Sequence, residues 1–197
     1  MNDETQTNKP QAGLQGGLEE HTLSSQQIFQ GKVISLQVDE VRLPNGNTAA
    51  REIVKHPGAV AVIALVDGKL LAVEQYRKPL ERLQMEIPAG KLDNNEAPEE
   101  AAKRELQEET GYTCGAVAHL HSMATSPGFA DEVIHLYVAQ DLRAGTSRPD
   151  DDEFLDVQSL TYDEALEAVR QGRICDAKTL LAMYAWQKYN MTGRWGL

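Results

Sequence analysis

The stretch that most constrains this chain is 90–112, GKLDNNEAPEEAAKRELQEETGY. Pro98 suits a first helical turn, and Gly111 sits where a left-handed cap ends one, so a helix is predicted over Ala97–Thr110. On it, Glu105 has Glu108 and Glu109 three and four residues away, on one face. Like charges so placed repel by roughly 0.2–0.5 kcal/mol per pair. Arg104 pairs well with Glu108 at i,i+4 but cannot serve all three carboxylates. A divalent cation can. An acidic helix face is nevertheless more often simply solvated. If a cation is held, oxygen-only ligands suit magnesium or manganese better than zinc. The chemistry is then attack of water on a phosphate ester or anhydride.

The overall charge bears on this reading. Thirty Asp and Glu against 19 Lys and Arg leave a net charge of -11 over 197 residues. That excess argues against nucleic acid or an anionic membrane as main partner. It would also argue against a phosphate substrate, unless carboxylates gather metal ions. The acids are concentrated in Glu96–Glu109 and in Asp150–Glu153, which makes divalent cations a requirement of a phosphate reading. The longest apolar stretch, Ala59–Val66, is far short of the ~20 residues of a spanning helix. The N-terminal 27 residues lack an apolar leader core, and Cys114 and Cys175 form no CxxC, so a cytoplasmic protein with reduced thiols is expected.

Along the chain, residues 1–27 read as a disordered lead-in and 28–57 as a small antiparallel β subdomain. Leu36 and Val38, then Val41 and Leu43, alternate with polar residues before the turn Pro44-Asn45-Gly46, and Arg51–Lys55 can return. Residues 58–197 form the main domain. Ala59–Val66 reads as a strand buried on both faces, and Leu70–Tyr76 returns from it. Strands are expected at Val117–Ser122, Val133–Ala139 and Phe154–Leu160. Thr161–Glu164 is a capping-box pattern for a helix closed by Gly172, and Thr179–Tyr189 is a further helix. Strands between separated helices suggest a mixed sheet with helical layers.

At this point 90–112 resembles the Nudix hydrolases. Gly90 is followed after five residues by Glu96, and after seven more by Arg104-Glu105-Leu106-Gln107-Glu108-Glu109-Thr110-Gly111-Tyr112. Every fixed position of the family's 23-residue motif is matched. The resemblance implies an α+β fold, an α/β/α sandwich with a mixed β-sheet, here preceded by the small N-terminal sheet. It implies that Glu105, Glu108 and Glu109 bind Mg2+ (or Mn2+), with the carbonyl of Ala89 adding a ligand. Glu108 and Arg104 would belong to the catalytic set, Arg104 and Glu96 holding the loop–helix–loop in shape. Ala97 stands where many relatives carry a capping Ser, a loss of ~1 kcal/mol at the helix start.

Outside the motif the chain is similar to ADP-ribose pyrophosphatases. The matching stretches are Arg51-Glu52 through Val60, Glu74–Arg77, Glu86–Gly90 and Ser126-Pro127-Gly128. By this resemblance Arg51, Arg77, Glu86, Pro127 and Gly128 are substrate-binding. Arg77 also suits an ordinary ion pair with Glu74 or Glu81, and Glu86 suits a structural partner equally well. The acidic loop Asp150–Glu153 matches the segment that supplies the water-activating base. Glu153 is the first choice and Asp151 the second, against a merely solvated turn. Phe29 is the one obvious aromatic of the N-terminal sheet, and a core position suits it better than stacking on adenine.

The function so implied is Mg-dependent hydrolysis of ADP-ribose to AMP and ribose 5-phosphate, by a homodimer in which the N-terminal sheet reaches the partner's site. The partners are a small nucleotide-sugar substrate and a second copy, with no nucleic acid and no membrane. The rivals are a Nudix hydrolase of another nucleoside diphosphate sugar, such as GDP-mannose, and a nucleotide-sensing domain without turnover.

Overall fold

The computed structural model describes residues 17–93, 95–148 and 154–196. Two compact units divide between Lys55 and His56.

The first unit is a three-stranded antiparallel sheet, β1 (His21–Gln30), β2 (Ser35–Arg42) and β3 (Thr48–Lys55), in that order. The β2–β3 turn forms where Pro44-Asn45-Gly46 predicts it. Gly46 takes a left-handed φ of 86° there, and its N–H donates to the Leu43 carbonyl. The disordered lead-in expected over residues 1–27 does not hold from His21 on, where β1 starts, and residues 1–16 of it lie outside the described residues. All ten residues of β1 are exposed, so no in/out alternation marks it. Pairing with β2, with bulges at Thr22/Ser24 and Gln27/Phe29, satisfies its backbone instead. Phe29 is not a core residue: it is 53% exposed.

The second unit runs β4 (Ala59–Ile63), β5 (Leu65–Val66), β6 (Lys69–Arg77), β7 (Arg82–Glu86), β8 (Ala89–Lys91), α1 (Pro98–Thr110), β9 (Ala116–Ala124), β10 (Val133–Gln140), β11 (Leu155–Leu160), α2 (Tyr162–Arg170) and α3 (Ala177–Thr192). One sheet has the order β8-β4-β10-β9. It is mixed, since β4 runs parallel to β10 while β8 and β9 are antiparallel to their neighbours. The other sheet is antiparallel, β11-β6-β5 with β7 also on β6.

The apolar run of β4 is buried throughout because its two faces meet two different layers. Val60 and Val62 pack with Ala101, Ala102 and Leu106 of α1. Ala61 and Ile63 join Met85, Ile87, Ala165, Met183 and Trp186, a core that includes α2 and α3. Helices thus lie to both sides of the mixed sheet, as expected. The capping box Thr161/Glu164 is formed, and Gly172 follows the C-cap at φ 71°. α3 begins earlier than expected, because Asp176 caps it by accepting from the Thr179 N–H at 3.0 Å.

Candidate active site

The motif folds as β8, a loop and α1. Gly111 ends the helix in the left-handed conformation at φ 76°, its N–H on the Gln107 carbonyl. A side chain there would strike the backbone, since a Cβ would lie 2.5 Å from Ser147 N. The same close approach lets the Arg148 N–H donate to the Glu108 carbonyl at 2.8 Å. That ties the incoming end of the acidic loop to the helix that carries the glutamates. The candidate bases Glu153 and Asp151 lie outside the described residues.

Arg104 is the hub of the motif. Its Nε and Nη2 fork onto Glu96 at 2.9 and 2.8 Å, and its Nη1 donates to Glu105 Oε1 at 2.8 Å and Glu108 Oε2 at 2.9 Å. The hydrogen bonds from Arg104 hold the Glu96 carboxyl below its usual range. The fork to Glu96 likewise raises the Arg104 pKa above its ordinary value. Arg104 therefore offsets part of the repulsion foreseen on this helix face, by bridging Glu105 and Glu108.

Glu105 and Glu109 are the buried members, 8% and 2% exposed. Glu109 Oε2 accepts the Ala89 N–H at 3.0 Å. The Glu105 carboxyl lies over Gly90, within 2.2 Å of where a Cβ would stand. The two carboxylates of α1 are thus held against the first residues of β8. Among the described residues no three His, Cys, Asp or Glu side chains converge as a complete cation cage. The donors still fit a hard divalent cation, since all of them are oxygens.

A second group adjoins the first. Arg77, at the end of β6, donates from Nε and Nη2 to both carboxylate oxygens of Glu86 at 2.7 Å each. Glu86 closes β7 and is 3% exposed. Burial by itself pushes its carboxyl up, but hydrogen bonds from Arg77 and the charge of Lys178 reverse this and hold it at about 2. The hydrogen bonds to Glu86 raise the Arg77 pKa, and the charge of Glu109 adds to the rise. Arg77 thus pairs with neither Glu74 nor Glu81, which bind Arg173 and Lys78 instead. Lys178 and Asp176 of this group were not anticipated, because nothing local distinguishes a buried lysine in the first turn of a helix.

The remaining candidates belong to other elements. Arg51, in the first unit, forks onto Glu20 through Nε at 2.8 Å and Nη2 at 2.5 Å. Pro127 and Gly128 form the turn after β9, closed by the Phe129 and Ala130 N–H groups on the Ser126 carbonyl.

Similarity to known proteins follows the same division. The NUDIX domain model matches residues 55–182. The nucleoside diphosphate sugar hydrolase N-terminal domain matches 20–54, the β1–β3 sheet. A methanol dehydrogenase activator of Bacillus methanolicus is 56% identical over 84% of this chain and 91% of its own. An ADP-ribose pyrophosphatase of Bacillus subtilis is 52% identical over the same shares, 84% and 91%. The crystal structure of an ADP compounds hydrolase superposes with a TM-score of 0.77 at 20% identity, over 89% of this chain and 95% of that one, and so shares the fold. A motif complete in sequence, two of its glutamates packed against β8, and a family model across most of the second unit agree, and the chain belongs to the Nudix hydrolase family.

Proposed function

We propose that the protein hydrolyses the pyrophosphate bond of ADP-ribose, releasing AMP and ribose 5-phosphate, with Mg2+ or Mn2+ as cofactor. The observation that carries the hydrolytic reading is the pair of buried carboxylates, Glu105 and Glu109, held against Ala89-Gly90. The choice of ADP-ribose rests on the 52% identical relative of that name. Glu105, Glu108, Glu109 and the Ala89 carbonyl would hold the cation. When bound, it neutralises charge on the diphosphate and acidifies water.

The protein's own groups do the rest. Arg77 meets the diphosphate with the donors that Glu86 leaves free. Arg51 and the Pro127-Gly128 turn contribute further substrate contacts. Glu153 accepts a proton from the attacking water as its oxygen bonds to one phosphorus, and the bridging P–O bond breaks toward the other phosphate. Arg104 keeps Glu105 and Glu108 in register for this, and Glu96 braces Arg104.

We further infer a cytoplasmic homodimer, with residues 28–57 as the dimerising and substrate-reaching subdomain. Exposed Leu23, Ile28 and Phe29 of β1, with exposed Val33 and Ile34 in the turn to β2, support an apolar contact with a second copy. No helix among the described residues is long and apolar enough to cross a membrane.

A substrate panel with Mg2+ tests the reading. ADP-ribose is expected to give AMP and ribose 5-phosphate, and to be cleaved in preference to GDP-mannose. Glu109→Gln is expected to lose that turnover while keeping the fold by circular dichroism. Equal turnover by this variant would remove the metal assignment, and preference for another nucleotide sugar would remove the substrate.

A further inference from the structure

Two carboxylates and two cations alternate where the ends of β6 and β7 meet the first turn of α3. Lys178 is 9% exposed, and its ammonium donates to Glu86 Oε2 and, at 3.0 Å, to Asp176 Oδ1. Glu86 Oε2 also takes Arg77 Nη2, while Oε1 takes Arg77 Nε. The four charges sum to zero. Among the described residues Arg77 Nη1 makes no hydrogen bond, so one edge of its fork remains unused.

The neighbouring residues weld this group in place. Thr179 Oγ1 accepts the Ile87 N–H at 3.1 Å, and the Met85 N–H donates to the Arg173 carbonyl at 2.9 Å. Hydrogen bonds from the backbone on both sides of Glu86 thus already fix the end of β7 to the α2–α3 connection and the first turn of α3, without the lysine. A buried ion pair is moreover a weak stabiliser, and apolar groups of similar volume commonly serve as well. Holding the strand does not account for an ammonium at this position.

We propose that Lys178 is a positioning residue for substrate binding: by sharing the charge of Glu86, it leaves Arg77 a positive edge to offer a diphosphate. The proposal rests on the reading that Arg77 receives the diphosphate. Without the lysine, Glu86 and Asp176 together outweigh Arg77, and an anionic substrate meets a net negative group. With it, the guanidinium is clamped in orientation by Glu86 yet not cancelled.

Charge balance can be tested separately from packing. Lys178→Met keeps most of the side-chain volume and removes the charge. We expect KM for ADP-ribose to rise about tenfold, within the range of couplings between contacting groups, with kcat changed by less than about threefold. Lys178→Met/Asp176→Asn restores neutrality, and Asn caps a helix as well as Asp does. It is expected to return KM to within about threefold of wild type. A purely structural lysine predicts the opposite: no recovery in the double variant, and a KM that follows the loss of thermal stability. Unchanged KM in the single variant, or no recovery in the double, overturns the proposal. Absence of ADP-ribose cleavage by the wild type would instead overturn the substrate reading. The same three proteins titrated calorimetrically with inorganic pyrophosphate then decide the charge question. Binding weakened about tenfold and then restored supports the proposal, and any other pattern overturns it.

Discussion

The Glu105 carboxyl occupies the space that a side chain on residue 90 would need. A Cβ there would lie 1.9 Å from Glu105 Cδ and 2.0 Å from Oε1. Gly90 is thus a glycine for the sake of a side chain fifteen residues on. Gly90→Ala must move that carboxyl. The obstacle is the far end of a flexible side chain, so the backbone can stay where it is. Stability is expected to change by less than about 1 kcal/mol. Turnover of ADP-ribose is expected to fall on the order of 100-fold, as for other misplacements of about an ångström in catalytic groups. Paired urea melts and initial rates check this, and a parallel loss of both would contradict it.

Arg104 binds Glu96, Glu105, Glu108 and the Lys91 carbonyl at once. Lysine offers a single ammonium with three donors and cannot reproduce this fork. Arg104→Lys is expected to cost about 1–3 kcal/mol, discounted toward the lower end because the group is partly solvated. Its second effect is more diagnostic. With the bridge between Glu105 and Glu108 gone, a cation has more repulsion to relieve. Saturating Mg2+ should therefore raise the Tm of the variant more than that of the wild type. An equal shift in both would show that Arg104 and the cation do not share these carboxylates.

Legibility in the sequence followed the range of the forces involved. α1 was legible because its Pro98 start, Gly111 cap and glutamate spacing are all local, and the Thr161–Glu164 box was legible for the same reason. β4 showed itself as an apolar run because both of its faces are covered. β1 did not, since its residues are exposed on both faces and only pairing with β2 makes it a strand. The partner of Arg77 was equally hidden. Glu86 reaches it through the β6–β7 pairing, and Lys178 joins from 92 residues away. Residue types foretold a charged group at Arg77, whereas its neutral arrangement around the buried Glu86 depends on the tertiary fold.

Glu86 gives a pH signature. Its folded pKa of about 2 lies below the ordinary 4.5, so its contribution to stability is fully present above 4.5 and is lost as pH falls toward 2. A shift of that size corresponds to on the order of 3 kcal/mol. Urea denaturation of the wild type and Glu86→Gln should differ most at neutral pH. The gap should narrow as the pH falls below 4.5. A gap that stays constant with pH would mean that the Glu86 charge is not coupled to folding.

The helix start offers a change that should touch stability alone. Ala97 is the N-cap of α1, with extended backbone at φ -69° and ψ 133° and no side-chain cap hydrogen bond. Its carbonyl already accepts from the Glu100 and Ala101 N–H groups, but a donor of the first turn has no side-chain acceptor. Serine is compatible with this backbone and can accept from the N2 or N3 N–H. Ala97→Ser is therefore expected to stabilise the protein by ~1 kcal/mol. Glu99 and Glu100 already suit the positive end of the helix dipole, so the gain should come from the hydrogen bond and be insensitive to salt. The glutamates of the site lie about two to three turns further along the helix, and kcat and KM should be unchanged. Denaturant midpoints at low and high salt, with steady-state kinetics on the same preparations, check all three expectations. A gain that disappears at high salt would point to electrostatics at the helix end rather than to the cap.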